Sequence, residues 1–237
     1  MSHLIDLAKM ADDVYLDANE SRLHGNWAIK DALNVENLRI RAYEGTRSKT
    51  LVLCIRGTAN TQDLVVSDLA GIGLGGGVLG LKMNDAVAFT SDYARSSKDV
   101  WLTGHSLGGA YVQILSCILN VPGVTFNAPG VVSMINQMDG HPVIAALGGI
   151  AGAGMGVLAS IASPLFGKDI VDFITKSAAG ASNNAFGTVA NYRGNLDPVS
   201  KVGVHVGTPP ITINLASQKP HPHSMVPLIA ALENRKK

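Results

Sequence analysis

The most constraining feature of the sequence is a serine in a glycine-rich turn between a strand pattern and a helix pattern. Residues 100–103 form a short apolar run, and Leu107–Leu119 has the length and apolar content of a buried helix. The pentapeptide Gly104-His105-Ser106-Leu107-Gly108 joins the two. A turn this tight strains the backbone of its serine and tolerates only small residues two positions before and after it. The pattern therefore predicts that Ser106 projects its hydroxyl above the edge of a sheet as a nucleophile.

Strand and helix patterns alternate along the rest of the chain. Strand patterns cover residues 38–43, 50–55, 100–103, 123–126, 189–193 and, through apolar alternation around His205, 202–206. Helix patterns cover residues 4–17, 83–95, 107–119, 170–177 and 226–232. This alternation predicts a single α/β domain over residues 1–237, with a mostly parallel central sheet and helices on both faces.

Composition and charge narrow the classes of protein that the chain can belong to. Hydrophobic residues make up 46% of the sequence and charged residues 16%, which is typical of a packed globular protein. A formal net charge of +1 argues against nucleic-acid binding. Cys54 and Cys117 stand in apolar runs and are predicted to be buried free thiols. The N-terminal residues lack the pattern of a signal peptide, so we expect a cytoplasmic protein, although leaderless secretion would leave no trace in the sequence.

A serine hydroxyl becomes a good nucleophile only when a base removes its proton. On a sheet of this type the chain order is serine, acid, histidine, and we expect the acid directly after a strand. Asp197 follows the strand pattern over residues 189–193 and is the predicted acid. Asp139, Asp169 and Asp172 lie in less strand-like sequence and are the alternatives.

The base is expected on the loop that leads into the last helix. His221 and His223 both precede that helix, and we favour His223 because Pro220 and Pro222 hold His221 in an extended surface loop. His205 is assigned to one side of a strand. His105, beside the nucleophile, is predicted to support the turn rather than to act as the base.

Acyl transfer also needs two backbone N–H groups that bind the oxyanion. One is expected from Leu107, the residue after the nucleophile. The other is expected from the loop after an earlier strand, where Thr58 follows Arg56 and Gly57. Chemistry of this kind needs no metal and no organic cofactor.

Six sequence motifs occur in a recognisable order along the chain: Ile55-Arg56-Gly57-Thr58, Asp68, residues 103–110, Phe126-Asn127-Ala128-Pro129-Gly130, residues 195–199 and His223. Together they resemble the class 3, or fungal-type, lipase family of α/β-hydrolases. The resemblance implies an α/β-hydrolase fold and hydrolysis of triacylglycerol or phospholipid acyl esters. It also implies roles for individual residues: Ser106 as nucleophile, Asp197 as acid, His223 as base, and Thr58 and Leu107 as oxyanion donors. By analogy, the chain is also similar to leaderless bacterial phospholipase effectors of this type.

Two apolar segments are rich in glycine. Residues 69–81 are predicted to form a loop that acts as a mobile lid over an acyl site, with an ordinary connecting loop as the alternative. Residues 142–167 contain no charged side chain and are long enough to cross a bilayer. A single span would place Ser106 and Asp197 on opposite sides of the membrane, so we favour an inserted apolar cap near the acyl pocket. A core helix and membrane insertion remain the alternatives.

The sequence thus favours a serine hydrolase of lipid acyl esters, of the lipase or phospholipase A type. We expect a lipid substrate and transient contact with a membrane or lipid surface, with no nucleic-acid partner. A short-chain esterase or thioesterase is the near alternative. A membrane-perturbing interaction protein on a hydrolase-like scaffold is the alternative from a different class.

Overall fold

The computed structural model describes residues 2–23, 25–36, 38–57, 74–131, 189–217 and 219–235. In chain order the helices and strands of these residues are α1 (Ser2–Asp13), β1 (Trp27–Val35), β2 (Leu38–Gly45), β3 (Leu51–Ile55), α2 (Leu74–Ser96), β4 (Val100–His105), α3 (Leu107–Leu119), β5 (Gly123–Phe126), β6 (Val189–Gly194), β7 (Ile211–Ile213) and α4 (Met225–Asn234).

Within the described residues, the strands form one seven-stranded sheet in which spatial order equals chain order. The pairs β1–β2 and β2–β3 are antiparallel. All pairs from β3 to β7 are parallel. The carboxyl ends of these five strands therefore meet at one edge, which is where open α/β sheets bind their ligands. The prediction of a mostly parallel sheet is confirmed.

Helices cover both faces of the sheet, as predicted, and each face has its own core. Strand β3 contributes to both cores, because side chains alternate along a strand. Leu51, Leu53 and Ile55 point to one core, and Val52 and Cys54 point to the other. The first core contains residues of α2 and α3, and the second contains residues of α1 and α4. Cys54 and Cys117 are both buried, as expected.

The structure corrects two sequence-based predictions. Residues 74–81, predicted as part of a loop, form the first two turns of α2. Extending a helix that already exists adds one hydrogen bond per residue, and this gain outweighs the low helix propensity of Gly75–Gly77. Residues 202–206, predicted as a strand, have no strand conformation. Gly203, at φ +76°, packs against Gly130 and bends this segment into a loop.

Several predictions lie outside the described residues. They are the oxyanion donor Thr58, the part of the predicted lid before Leu74, the apolar cap over residues 142–167 and the helix over residues 170–177. Strands β1 and β7 were not predicted from the sequence. Among the helices that the structure does describe, none combines the length and the apolar character that crossing a bilayer requires.

Candidate active site

Ser106 lies alone between the last residue of β4 and the first residue of α3. Its backbone angles are φ 56° and ψ −132°, a conformation that costs a non-glycine residue on the order of 1–3 kcal/mol. This strain is the expected signature of a nucleophile turn, because it directs the side chain away from both elements. Ser106 is 1% exposed.

Two glycines make the turn sterically possible. A Cβ atom on Gly104 would lie 2.6 Å from the backbone of Gly108, and one on Gly108 would lie 2.1 Å from the carbonyl oxygen of Ile55. Both distances are well inside van der Waals contact. The spacing of glycine, serine and glycine is therefore imposed by the close approach of α3 to the ends of β3 and β4.

Asp197 follows β6 and its carboxylate is completely buried. Its Oδ1 atom is 2.8 Å from Nδ1 of His223, and the backbone N–H groups of Val199 and Ser200 donate to the carboxylate over 3.3 and 2.9 Å. Burial raises the pKa of Asp197, but the hydrogen bond and charge of His223 and the hydrogen bonds of Ser200 outweigh it and leave the pKa below its usual value. The carboxylate is therefore ionised at neutral pH.

His223 lies on the loop before α4, with 4% of its surface exposed. Because a carboxylate only accepts, Nδ1 donates to Asp197 and the neutral ring keeps its lone pair on Nε2. That Nε2 atom is buried and has no hydrogen-bond partner among the described residues. The structure thus brings Asp197 and His223 together, whereas Ser106 forms no hydrogen bond with Nε2.

The hydrogen bonds of His105 link the serine turn to the histidine loop. Its Nε2 atom is 2.7 Å from the carbonyl oxygen of His223, and the two rings are 4.6 Å apart. Asn127, at the end of β5, donates to the same carbonyl over 3.2 Å and accepts a hydrogen bond from Gly194 of β6 over 2.9 Å. His105 therefore supports the site through the backbone of His223. Asn127 belongs to one of the six sequence motifs, but no pattern in the sequence indicates this bridging role.

The structure also places the predicted oxyanion donor Leu107 and two further histidines, His205 and His221. Leu107 is the first residue of α3, where backbone N–H groups have no acceptor within the helix and the helix dipole favours negative charge. His205 contacts the carbonyl oxygen of Ala128 over 2.9 Å through Nε2. The ring of His221 lies 6.4 Å from that of His223. In the described part of the chain, no cluster of His, Cys, Asp and Glu side chains could hold a metal ion.

The lowered pKa of His105 predicts how the folding stability depends on pH. Burial and the neighbouring His223 lower its pKa from 6.5 to about 3. In the unfolded chain His105 binds a proton near pH 6.5, but in the folded protein it stays neutral down to about pH 3, so folding stability falls as the pH drops between these values. We expect His105→Gln to flatten this fall, measured as melting temperature between pH 7 and pH 4.5.

His205→Gln is the matched control for this measurement. The pKa of His205 is also lowered by burial, but its side chain is more exposed than that of His105, so its removal should flatten the curve less. An unchanged slope in His105→Gln would contradict the assignment of a buried neutral imidazole.

The sequence is similar to known lipases and phospholipases. A family model described as a Tle-like phospholipase domain matches residues 6–149. The candidate lipase ATG15 of Mycosarcoma maydis is 53% identical over 38 residues, a segment that covers 16% of this chain and 7% of that relative.

Solved lipase structures share the fold. A mutant form of MDLA from Penicillium cyclopium superposes with a TM-score of 0.53 at 12% identity, over 92% of this chain and 82% of that one. The crystal structure of a fungal lipase gives a TM-score of 0.51 at 13% identity, over 90% and 81% of the two chains. These likenesses confirm the α/β-hydrolase fold and the predicted resemblance to fungal-type lipases.

Proposed function

Because the chain belongs to the Tle-like phospholipase domain family, we propose that it hydrolyses acyl ester bonds of glycerophospholipids. The observation that carries this proposal is the buried Asp197–His223 pair at the sheet edge where Ser106 stands in a strained turn, with no partner for Nε2 of His223 among the residues that the structure describes. A hydrolase of neutral lipids is the second candidate, favoured by the lipase structures that share the fold.

The reaction begins at Ser106. Its Oγ atom attacks the ester carbonyl carbon while Nε2 of His223 takes the hydroxyl proton. Asp197 holds the imidazole in the tautomer that exposes Nε2 and stabilises the imidazolium that forms. The N–H groups of Leu107 and Thr58 bind the developing oxyanion, with the N-terminus of α3 adding its favourable dipole.

Collapse of the tetrahedral intermediate breaks the ester bond. His223 returns the proton to the leaving lysophospholipid alcohol, and the fatty acyl group stays on Ser106. A water molecule then attacks the acyl-enzyme, with His223 as base, and releases the fatty acid and the free serine. No step in this sequence requires a metal or an organic cofactor.

Release of fatty acid by the purified protein tests the proposal. Phosphatidylcholine vesicles, a triacylglycerol emulsion and a soluble short-chain ester are compared at equal ester concentration. Preferential hydrolysis of the vesicles supports phospholipase activity, and preference for the emulsion supports the neutral-lipid alternative. Hydrolysis of the short-chain ester alone would identify an esterase. No hydrolysis of any of them would contradict the proposal.

The proposed activity includes transient contact with the lipid surface, through the loop that follows β6. Leu196 directly precedes Asp197 and is 39% exposed, and Val204 is 67% exposed. Lys201, between them, is also exposed. Apolar side chains beside a cation suit a phospholipid surface, because the apolar groups enter the acyl boundary while the cation meets phosphate.

We expect the double variant Leu196→Ser, Val204→Ser to lose about 10-fold or more of its activity on vesicles, since each substitution removes a large apolar side chain that would be buried in the lipid surface. Activity on the soluble short-chain ester should stay within about 2-fold, because both side chains are exposed and the substitutions place no new charge beside Asp197. Ile211→Ser, at an exposed residue of β7, is the control and should change neither activity. Equal losses on both substrates would contradict a role in surface contact.

A further inference from the structure

An unbroken series of hydrogen bonds crosses the site from α1 to α4. The backbone N–H of Gly57 lies 3.1 Å from the hydroxyl of Tyr15, which lies 3.0 Å from Nδ1 of His105. Nε2 of His105 then lies 2.7 Å from the carbonyl oxygen of His223. The series thus joins four separate parts of the chain: the end of α1, the loop after β3, the serine turn and the loop before α4.

Elementary hydrogen-bond chemistry allows one arrangement of protons along this series. A carbonyl oxygen only accepts, so Nε2 of His105 carries the proton and donates to His223. Nδ1 is then an acceptor, and the hydroxyl of Tyr15 must donate to it. The same hydroxyl accepts from Gly57. Burial keeps the pKa of His105 at about 3, so the ring remains neutral and the arrangement does not change near neutral pH.

Tyr15 is held firmly in this position. The guanidinium groups of Arg39 and Arg41 donate to the carbonyl oxygen of Leu16 over 3.0 and 2.7 Å. Arg41 also forms a buried ion pair with Asp13, with 3.1 Å between the charged atoms. The chain on both sides of Tyr15 is therefore anchored to β2, which fixes the backbone that carries the tyrosine ring.

We propose that Tyr15 and His105 are positioning residues that fix the oxyanion loop and the catalytic base relative to each other. The hydroxyl of Tyr15 accepts a hydrogen bond from the backbone N–H of Gly57, the residue directly before the proposed donor Thr58. His105 fixes the backbone of the proposed base. Neither side chain touches substrate in this role. The inference rests on the proposed function, since Tyr15 and His105 act only by positioning groups that serve the reaction of Ser106 and His223.

Tyr15→Phe tests the proposal because it removes the hydroxyl and keeps the ring. Active sites are counted by carrying fluorophosphonate labelling of Ser106 to completion, and hydrolysis of a soluble short-chain ester is expressed per labelled site. Misplacing groups by about 1 Å costs up to about 100-fold in rate, so we expect kcat per labelled site to fall about 10- to 100-fold with little change in KM.

Tyr93→Phe is the matched control. It makes the same chemical change and removes a hydroxyl that donates to Asp31 over 2.8 Å. Tyr93 lies on α2 and packs against the first core, whereas Tyr15 packs against the second. We expect an unchanged kcat per labelled site, with at most a lower melting temperature. If Tyr15 mattered only for folding, Tyr15→Phe would give this same result, because molecules that misfold do not react with the fluorophosphonate and are not counted.

His105 provides a second, independent pair of variants. Glutamine can donate to the His223 carbonyl and accept from Tyr15, whereas alanine can do neither. We expect His105→Ala to lose kcat per labelled site and His105→Gln to recover most of it. Wild-type kcat per site in Tyr15→Phe, or equal losses in the two His105 variants, would overturn the proposal. A wild-type protein that neither reacts with fluorophosphonate nor hydrolyses ester would instead overturn the proposed function.

Discussion

Replacing Ser106 with alanine is expected to lower ester hydrolysis by about 10⁵-fold or more, the loss seen when a serine nucleophile is removed from a triad. The oxyanion donors and the substrate contacts stay in place, so a small residual rate above that of water should remain. Initial rates on phosphatidylcholine vesicles and on a soluble ester measure the loss. Mass spectrometry of the fluorophosphonate-labelled wild-type protein should place the label on Ser106.

Ser116→Ala is the control for this experiment. Ser116 is also a buried serine, it lies in the same helix that follows the nucleophile, and its hydroxyl has no hydrogen-bond partner among the described residues. Its removal should leave hydrolysis unchanged. Normal turnover by Ser106→Ala, or a label on a different serine, would contradict the assignment of the nucleophile. Loss of lipid hydrolysis without loss of a membrane-perturbing effect would favour the interaction-protein alternative.

The elements that the sequence predicted best are those fixed by local pattern. The bounds of α3 and β5 were predicted to the residue, because each is a mainly apolar stretch that is followed directly by an asparagine. Parallel pairing then carries Asp197 and the end of β4 to one edge of the sheet. A large part of the candidate site can therefore be anticipated from the order of strands and helices alone.

Elements that depend on irregular or distant contacts were missed. Strand β1 begins with three apolar residues, Trp27–Ile29, and a β-bulge between Ile29 and Asp31 breaks its register, so no regular apolar–polar alternation shows in the sequence. Strand β7 has three residues, two of them exposed, which is too short for a period to show. The loop over residues 202–206 alternates like a strand, and its bend depends on packing against Gly130.

Tyr15 illustrates the limit for site residues. In the sequence it is one more apolar position in the helix pattern over residues 4–17, although α1 itself ends at Asp13. Its hydroxyl meets His105, 90 positions later, only because α1 packs across the sheet beside β3 and β4. No local pattern in the sequence indicates such a contact, whereas the glycines at positions 104 and 108 predict the tight turn directly. Catalytic turns are thus easier to predict than the side chains that position them.

His221 and His223 both precede α4, and the structure distinguishes them as candidates for the catalytic base. Nδ1 of His223 is hydrogen-bonded to buried Asp197, while His221 is more exposed and its ring lies 6.4 Å from that of His223. Burial and the neighbouring His223 lower the pKa of His221, so it is neutral at pH 7 and adds no charge to the site. Asp197 therefore orients His223 and not His221.

We expect His223→Ala to lower kcat about 10⁵-fold or more, close to the loss in Ser106→Ala, because a serine without its base is barely nucleophilic. The double variant should lose no more than either single one, since the two residues act as a unit. His221→Ala should keep most of the wild-type rate and serves as the matched control. Initial rates on a soluble ester at pH 7 to 9 measure all three variants. If His221→Ala were inactive and His223→Ala active, the base would be His221, and the Asp197–His223 hydrogen bond would be structural rather than catalytic.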